Sequence, residues 1–489
     1  MAGPARSLDP RLPVLVGLGT AADSAPVTDL MTAAVRAAAD DAAAAGILRS
    51  VDRIMTPQGT WALTDPARSV ARRIGAPGAR TVRCEVGVSQ QEVINYALAA
   101  VADGSASVVV VAGAEARAWE RGGGVEVDEA EAPPDDVLTR PPDFVAPIEI
   151  AAGIVLPPVQ QYAMIENALG AAEGLSTGAQ RDEVAGLWAR FNTVARTNPH
   201  AAFPQPRDAA EIATPGPRNR PLAFPYNVWH ASQWTLNQAS ALLICSAGQA
   251  ADLGVPSDRW LFPHVALHCS QAVTLTARRR LDAWPAMEML GRTAAGVIGR
   301  GLAALELAEV YSCFPSAVRV QQRALGLPLE GTPTLTGGMA FAGGPFNHFV
   351  LLAHTALGQR LRAAPAELGF ATTVSGMLSK PGLAVWSATP PDSRAACVAD
   401  LASEAAAATE TVPVTPSPPA AATPATVVSF TATYGGSDGL EPVRAAVVAD
   451  LPDGTRTAAT CEDAATARLA VTDGLIGRTV EVKDTTFRL

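Results

Sequence analysis

The chain has 489 residues, 48% hydrophobic and 17% charged, with 41 glycines and 39 prolines. That balance excludes a disordered chain and a coiled coil, and the length allows roughly three domain-sized units of about 150 residues. Net charge is −10, so a basic footprint for nucleic acid is absent.

No apolar run of about 18 residues or more occurs, which excludes a membrane-spanning helix. The opening MAGPARSLDPRLPVLVGLGT lacks the charged-then-apolar order of a secretory signal. Cys84, Cys245, Cys269, Cys313, Cys397 and Cys461 are scattered with no CxxC pair. Neither a metal site nor a disulfide framework is expected, and a cytoplasmic location is.

In chain order, LPVLVGLGT reads as a buried strand, Val27 to Ala45 as an Ala-rich helix, and VDRIMTP as a second strand. RTVRCEVGV is a strand broken at Gly87. Ser89 and Glu92 then form a capping-box pattern opening a helix that stops at Gly104, before the apolar strand ASVVVVAGAEA. This alternation predicts a parallel sheet covered on both faces. RGGGVEVDEAEAPPDDV reads as a solvated acidic loop, followed by helices at Gln161 to Gly170 and Gln180 to Arg196. The aromatic, proline-rich stretch from Phe203 to Trp234 reads as loop packing, with a cleft-lining role as the other option.

Alternation resumes with ASALLICSA, LFPHVALHCS, a helix from Met287 to Leu305, and LAEVYSCF. Pro315 suits the first position of a helix reaching Leu325, and Pro345 that of one running through Phe349, Val350, Ala353 and Leu357. GFATTVSG and GLAVWSA are a strand pair. GVSQQEVINYALAAVADG and GGPFNHFVLLAHTALG each place an apolar helix behind glycine, which suggests a duplicated unit with a cleft where two helix ends meet. Such ends favour anions and developing oxyanions. TETVPVTPSPPAAATPAT has the composition of an extended linker, and the strands beyond it predict a small β-barrel or sandwich.

Three segments carry a family resemblance. VGVSQQEVINYALAAVADGSASVVVVAGAEA resembles the thiolase segment that holds the nucleophilic Cys, its helix and the following strand. LAEVYSCF resembles the N-E-A-F segment, and more closely the H-D-C-F form of sterol-carrier-type thiolases. TGGMAFAGGPFNHFV resembles the G-G-x-x-x-x-G-H-P segment. With its β-rich tail, the chain is similar to thiolase-like proteins of type 1, commonly called acetyl-CoA acetyltransferases. The resemblance implies a duplicated five-layer αβαβα core with a helical loop domain and a small C-terminal β-barrel-like domain. The expected boundaries are an N-terminal half at 1–120, a loop domain at 121–235 and a C-terminal half at 236–400, whose first strands, within 236–275, could belong to the N-terminal half. A linker at 401–425 and a β-rich domain at 426–489 follow.

The resemblance also implies departures. Gly87 stands at the nucleophile position, Tyr311 at the Asn or His of N-E-A-F with Ser312 at its acidic position, and Gly344 at the His of G-H-P. The last family motif, C-x-G, falls around VSGMLSKPG, which has no cysteine. Gly87, Ser89, Gly343, Gly344, Asn347, Ser375 and Gly376 are the candidates for a cleft or oxyanion role. Cys84 or Cys313 with His348 are the fallback catalytic candidates, against a reading of all three as core residues.

Three functions follow. One is a protein of acyl-CoA or lipid metabolism that binds coenzyme A or acyl-CoA without thiolysis, no cofactor being held covalently. The second is an active acyltransferase using the displaced residues, and the third a scaffold whose tail recruits a protein partner. Arg278 to Arg280 are candidates for the coenzyme phosphates or a solvated cluster. The family implies a homodimer through the strand before Gly87, with a monomer open if the β-domain covers it.

Overall fold

The computed structural model describes residues 8–141, 143–391 and 396–489; residues 1–7, part of the N-terminal reading, lie outside them. The first run comprises β1 (Pro13–Ala21), α1 (Val27–Ala42), β2 (Arg53–Pro57), α2 (Pro66–Ile74), β3 (Arg80–Cys84), α3 (Gln90–Ala102) and β4 (Val108–Ala116). In β4, Val108 and Val110 join the core shared with α1 and α2, while Val109 and Val111 join the core shared with α3. Successive side chains on a strand point to opposite faces, so a strand covered on both sides must be apolar at every position. Ser89 caps α3, its hydroxyl accepting from the Glu92 amide at 3.2 Å. The reciprocal half of the capping box is replaced by an ion pair between Glu92 and Arg140.

The middle of the chain carries α4 (Arg117–Arg121), β5 (Asp136–Leu138), α5 (Pro147–Ala151), α6 (Val159–Ala172), α7 (Thr177–Ala195), α8 (Ala209–Ala213), β6 (Pro221–Ala223) and β7 (Tyr226–Asn227). Its acidic segment is mostly exposed, as read, but several of its carboxylates are pinned. The Glu126 carboxylate accepts from the Val27 and Thr28 amides at 2.7 and 2.9 Å, capping α1. Glu129 pairs with Arg73, Asp135 with Arg68 and Asp136 with Arg80. Carboxylates at a helix N-terminus and beside arginines are stabilised there, so the segment is strapped to the outer helices.

The second run comprises β8 (Asn237–Ser246), α9 (Ala247–Asp252), β9 (Phe262–His268), α10 (Pro285–Ile298), β10 (Leu307–Glu309), α11 (Pro315–Ala324), α12 (Phe349–Ala363), β11 (Leu368–Ser375), β12 (Lys380–Ser387), β13 (Cys397–Asp400) and α13 (Ala402–Ala408). The first sheet has the order β1-β8-β4-β2-β3-β5, the second β10-β11-β12-β9-β13. Both are mixed rather than purely parallel. β2 runs parallel to β4, and β4 and β1 run antiparallel to β8. The second sheet repeats this: β10 is parallel to β11, and β12 is antiparallel to β11 and β9. Helices α3 and α12 touch strands of both sheets, while α1 covers the far face of the first and α10 that of the second. The result is the expected duplicated five-layer αβαβα core.

Helix α12 begins at Phe349 rather than at Pro345, because Asn347 takes a left-handed φ of 58° and residues 345–348 form turns.

The tail folds as β14 (Thr423–Gly435), β15 (Glu441–Asp450), β16 (Arg456–Cys461), α14 (Ala464–Thr472), β17 (Thr479–Lys483) and β18 (Thr486–Arg488). β14 pairs with β15, β15 with β16, β16 with β18, β18 with β17 and β17 with β14, closing a five-stranded barrel of OB-fold type. The β6–β7 hairpin joins β14 through Ala223 and Thr433. The segment before the barrel is not a free linker. The Val412 amide donates to Ala277 O at 2.9 Å, Thr415 to Arg456 O at 2.9 Å and Asp484 to Pro419 O at 2.7 Å. Arg456, 2% exposed, pairs with Asp450 at 2.7 Å and donates to the Arg278 carbonyl.

Arg456→Ala should therefore lower stability by about 2 kcal/mol, the scale of hydrogen bonds made by a charged group. Limited proteolysis should cut between residues 411 and 424 in the variant and leave that stretch intact in the wild type. Equal cutting of both would refute the anchoring role.

Candidate functional site

One cavity of about 520 Å³ opens where the N-termini of α3 and α12 meet. It is lined by Gly87, Tyr311, Cys313, Gly344, Asn347, Ser375 and Gly376, all named from sequence. Ser89, Gly343, Cys84 and His348 stand outside it. Ser89 is spent on capping, and a Cβ on Gly343 would press on Leu236 at 2.8 Å. Cys84 ends β3, and His348 packs against Gly113 of β4. With β2 between those strands, and with neither His348 ring nitrogen hydrogen-bonded among the described residues, no bond joins His348 to Cys84.

Gly87 has a φ of 111°, a conformation that favours glycine. A Cβ there would meet nothing nearer than Arg140 O at 3.4 Å, so the space beside it is open. Gly344 is the opposite case. A Cβ there would fall 1.7 Å from the Ser232 hydroxyl oxygen, so no side chain fits without displacing Ser232. The backbone donors differ too. The Gly344 amide donates to Gln233 O at 2.9 Å, and the Asn347 side chain donates to Gln58 O at 3.0 Å. Among the described residues the Gly87 and Gly376 amides have no protein acceptor.

The remaining polar groups include two phenols and a thiol. Tyr162 donates to Gly376 O at 3.1 Å, and its ring stacks on Phe314 at 4.5 Å. Gln90 accepts from the Val350 amide through Oε1 at 2.7 Å, which turns its amide nitrogen toward the Tyr311 hydroxyl oxygen. Tyr311 lines the cavity, so its hydroxyl is available there as a donor. Burial pushes the Cys313 thiol up to about 12 and the Cys84 thiol higher still, with Glu92 adding to the latter. Burial also holds the His348 imidazole neutral, with a pKa of about 3. A thiol so placed has little thiolate at neutral pH, and a histidine so placed is a poor base.

Sequence reasoning missed most of the walls. Phe144 and Leu156 make part of the rim apolar with no pattern in their loops to mark them, while Trp234, at the end of the aromatic stretch, takes the cleft-lining option and Phe346 lies in the third motif segment. It also missed Glu309, which accepts from the Leu335 and Thr336 amides at 2.6 and 2.8 Å and from the Thr334 and Thr336 hydroxyls at 2.9 Å. These bonds hold the turn that carries Gly337 and Gly338 at positive φ and delivers Met339 to the cavity. A carboxylate ending the apolar run before YSCF was the available signal.

No protein-family model and no curated protein matches the chain. Among solved structures, it is similar to a monomeric SCP2-thiolase like protein type 1 from Mycobacterium smegmatis. Identity is 27% over 98% of this chain and 99% of that one, with a TM-score of 0.84. The chain has a thiolase-like fold. Two further structures share that fold: an Ltp2-ChsH2(DUF35) aldolase, at 19% identity over 78% of this chain and 99% of that one, TM-score 0.57, and human mitochondrial 3-ketoacyl-CoA thiolase, at 17% identity over 77% and 99%, TM-score 0.55.

Two outcomes test this geometry. Gly344→Ala should lower the melting temperature, and Ser232→Ala in the same chain should recover part of the loss; an additive double variant would place the clash elsewhere. Burial raises Glu309 from 4.5 to about 7, so its contribution is complete below about pH 4.5 and fades as pH rises to 7. Over that range the wild type should lose about 3 kcal/mol relative to Glu309→Gln, by denaturant titration.

Proposed function

We propose that the protein binds acyl-CoA or coenzyme A in this cleft and does not carry out thiolysis. The observation that carries this reading is the contrast at the two cleft glycines. Thiolysis needs a thiolate that attacks a ketone and leaves as a thioester, together with a base for its proton. Gly87 offers no side chain, and the space beyond Gly344 belongs to Ser232. Binding needs less. The Gly87 and Gly376 amides and the Tyr311 hydroxyl are donors suited to a thioester carbonyl, and the apolar wall suits an acyl group.

The perturbed Cys84 and Cys313 thiols and the buried His348 weigh against an acyltransferase built on displaced residues. The barrel turns Arg444 of β15 toward Gln160 and the Ala152 carbonyl, so that face is engaged within the chain, which weighs against a scaffold recruiting a partner there. The reading extends to a monomer, because the outer edge of β3 is already paired with β5 through Val82–Asp136 and Cys84–Leu138. It is this segment, and not the barrel, that occupies the edge. A role in acyl-CoA or lipid metabolism in the cytoplasm completes the proposal; six free cysteines suit a reducing compartment. Among the described residues no helix is long and apolar enough to cross a membrane.

Calorimetry should show saturable binding of acetyl-CoA, weakened about tenfold by Tyr311→Phe, the scale of one hydrogen bond. Mass spectrometry after incubation should show no acetyl adduct on Cys84 or Cys313. A stoichiometric adduct lost on Cys→Ala would establish the acyltransferase instead, and no binding at all would remove the reading.

A further inference from the structure

A second cavity of about 440 Å³ lies between α10, α13 and residues 269–280, behind the turn that ends the cleft. Met377 faces the cleft, while Leu378 and Ser379 face this cavity. Its volume is within the range of small-molecule sites.

Its lining has an unusual charge arrangement. Arg278, 8% exposed, donates only to carbonyls: Val273 O at 3.2 Å and Met377 O at 2.6 Å. Among the described residues no carboxylate lies within ion-pair distance of it, and its Nη1 has no hydrogen-bond partner. A buried guanidinium without a carboxylate is costly; Glu149 acts on it only from a distance. The next residue, Arg279, also lines the cavity, and its guanidinium has no ion pair among the described residues. Arg280 adds a third cation, shared with Asp282 at 2.5 Å. Helix α10 starts in the same wall, and no side chain caps its first turn. The acidic side chains present are Glu288, already paired with Arg292, and Glu410. The floor is apolar, formed by Trp284, Leu378 and Ala405.

We propose that this cavity is a second ligand site, for a small molecule bearing a phosphate group. Arginine's planar fork matches phosphate oxygens in paired hydrogen bonds, and an uncapped helix start adds amide donors for the same charge. The apolar floor takes the rest of the ligand. Two sources share this chemistry, a free phosphate ester and the phosphates of a coenzyme whose acyl end lies in the cleft. The site does not depend on the cleft reading, because none of these arginines lines the cleft.

The test is calorimetric titration of the full chain with inorganic phosphate. Arg278 holds the Met377 turn, so the variants used are Arg279→Ala and the Arg279→Ala, Arg280→Ala double, on exposed side chains. Phosphate should bind saturably to the wild type and at least about tenfold more weakly to the double variant, while Arg468→Ala on the barrel leaves affinity unchanged. Absence of saturable binding, or equal affinity in the double variant, overturns the proposal. Coenzyme A as competitor separates the sources: displacement of phosphate assigns the site to the coenzyme's phosphates, and coexistence assigns it to a free ester; either upholds the site. Tyr311→Phe should leave phosphate affinity unchanged, so failure of the cleft reading shows separately.

Discussion

Two helices buried between two sheets set the geometry of this molecule. α3 and α12 present apolar faces to a sheet on each side, and such helices keep that environment only if both sheets extend over them. The duplicated strand pairing supplies the sheets in matching order. The N-termini of the two helices then meet, α3 starting behind Gly87 after β3 and α12 behind the turn from Gly344 to His348. The cleft follows from that coincidence, whatever side chains line it.

What surrounds the cleft is held by polar bonds more than by shape. The segment carrying Arg140 and Phe144 is tied to α3 by Glu92 and to β12 by Lys380, which is 1% exposed and meets Asp143 at 3.0 Å. Helix α6 offers Tyr162 to the cleft and Asn167 to the Phe224 and Phe430 carbonyls beside the barrel. Its fully buried Glu166 accepts from Tyr226 at 2.7 Å and pairs with Arg319 of α11. Buried charges of this kind need every partner in place, so they fix one arrangement of α6, α11 and barrel. The barrel thus braces a cleft wall through the helix that lines it.

In the proposed reading, burial shifts the Cys313 thiol up and the His348 imidazole down, away from neutral pH, while donors suited to a carbonyl oxygen persist as two amides and a phenol. Backbone donors survive substitution because glycine carries them as well as any residue. At Gly344 the space a side chain would need is taken by the Ser232 hydroxyl.

The sequence by itself determined the parts whose signal is local. Apolar runs such as VVVVAGA, the cap at Ser89, the repeated glycine-bounded helices and three motif segments were enough for the strands, the central helices, the layered core and seven of the cleft-lining residues. Tertiary structure alone decided the rest, because the forces involved act between segments far apart in the chain. Glu126 reads as a solvated acid until α1 presents its amides, roughly a hundred residues earlier in sequence. The proline-rich stretch reads as a linker until Ala277 and Arg456 accept its hydrogen bonds. Gly344 reads as a missing histidine, and only packing reveals that Ser232, more than a hundred residues away, fills the space. Composition and periodicity record which face of a segment is buried, but a hydrogen bond or a steric clash depends on which segment arrives opposite it.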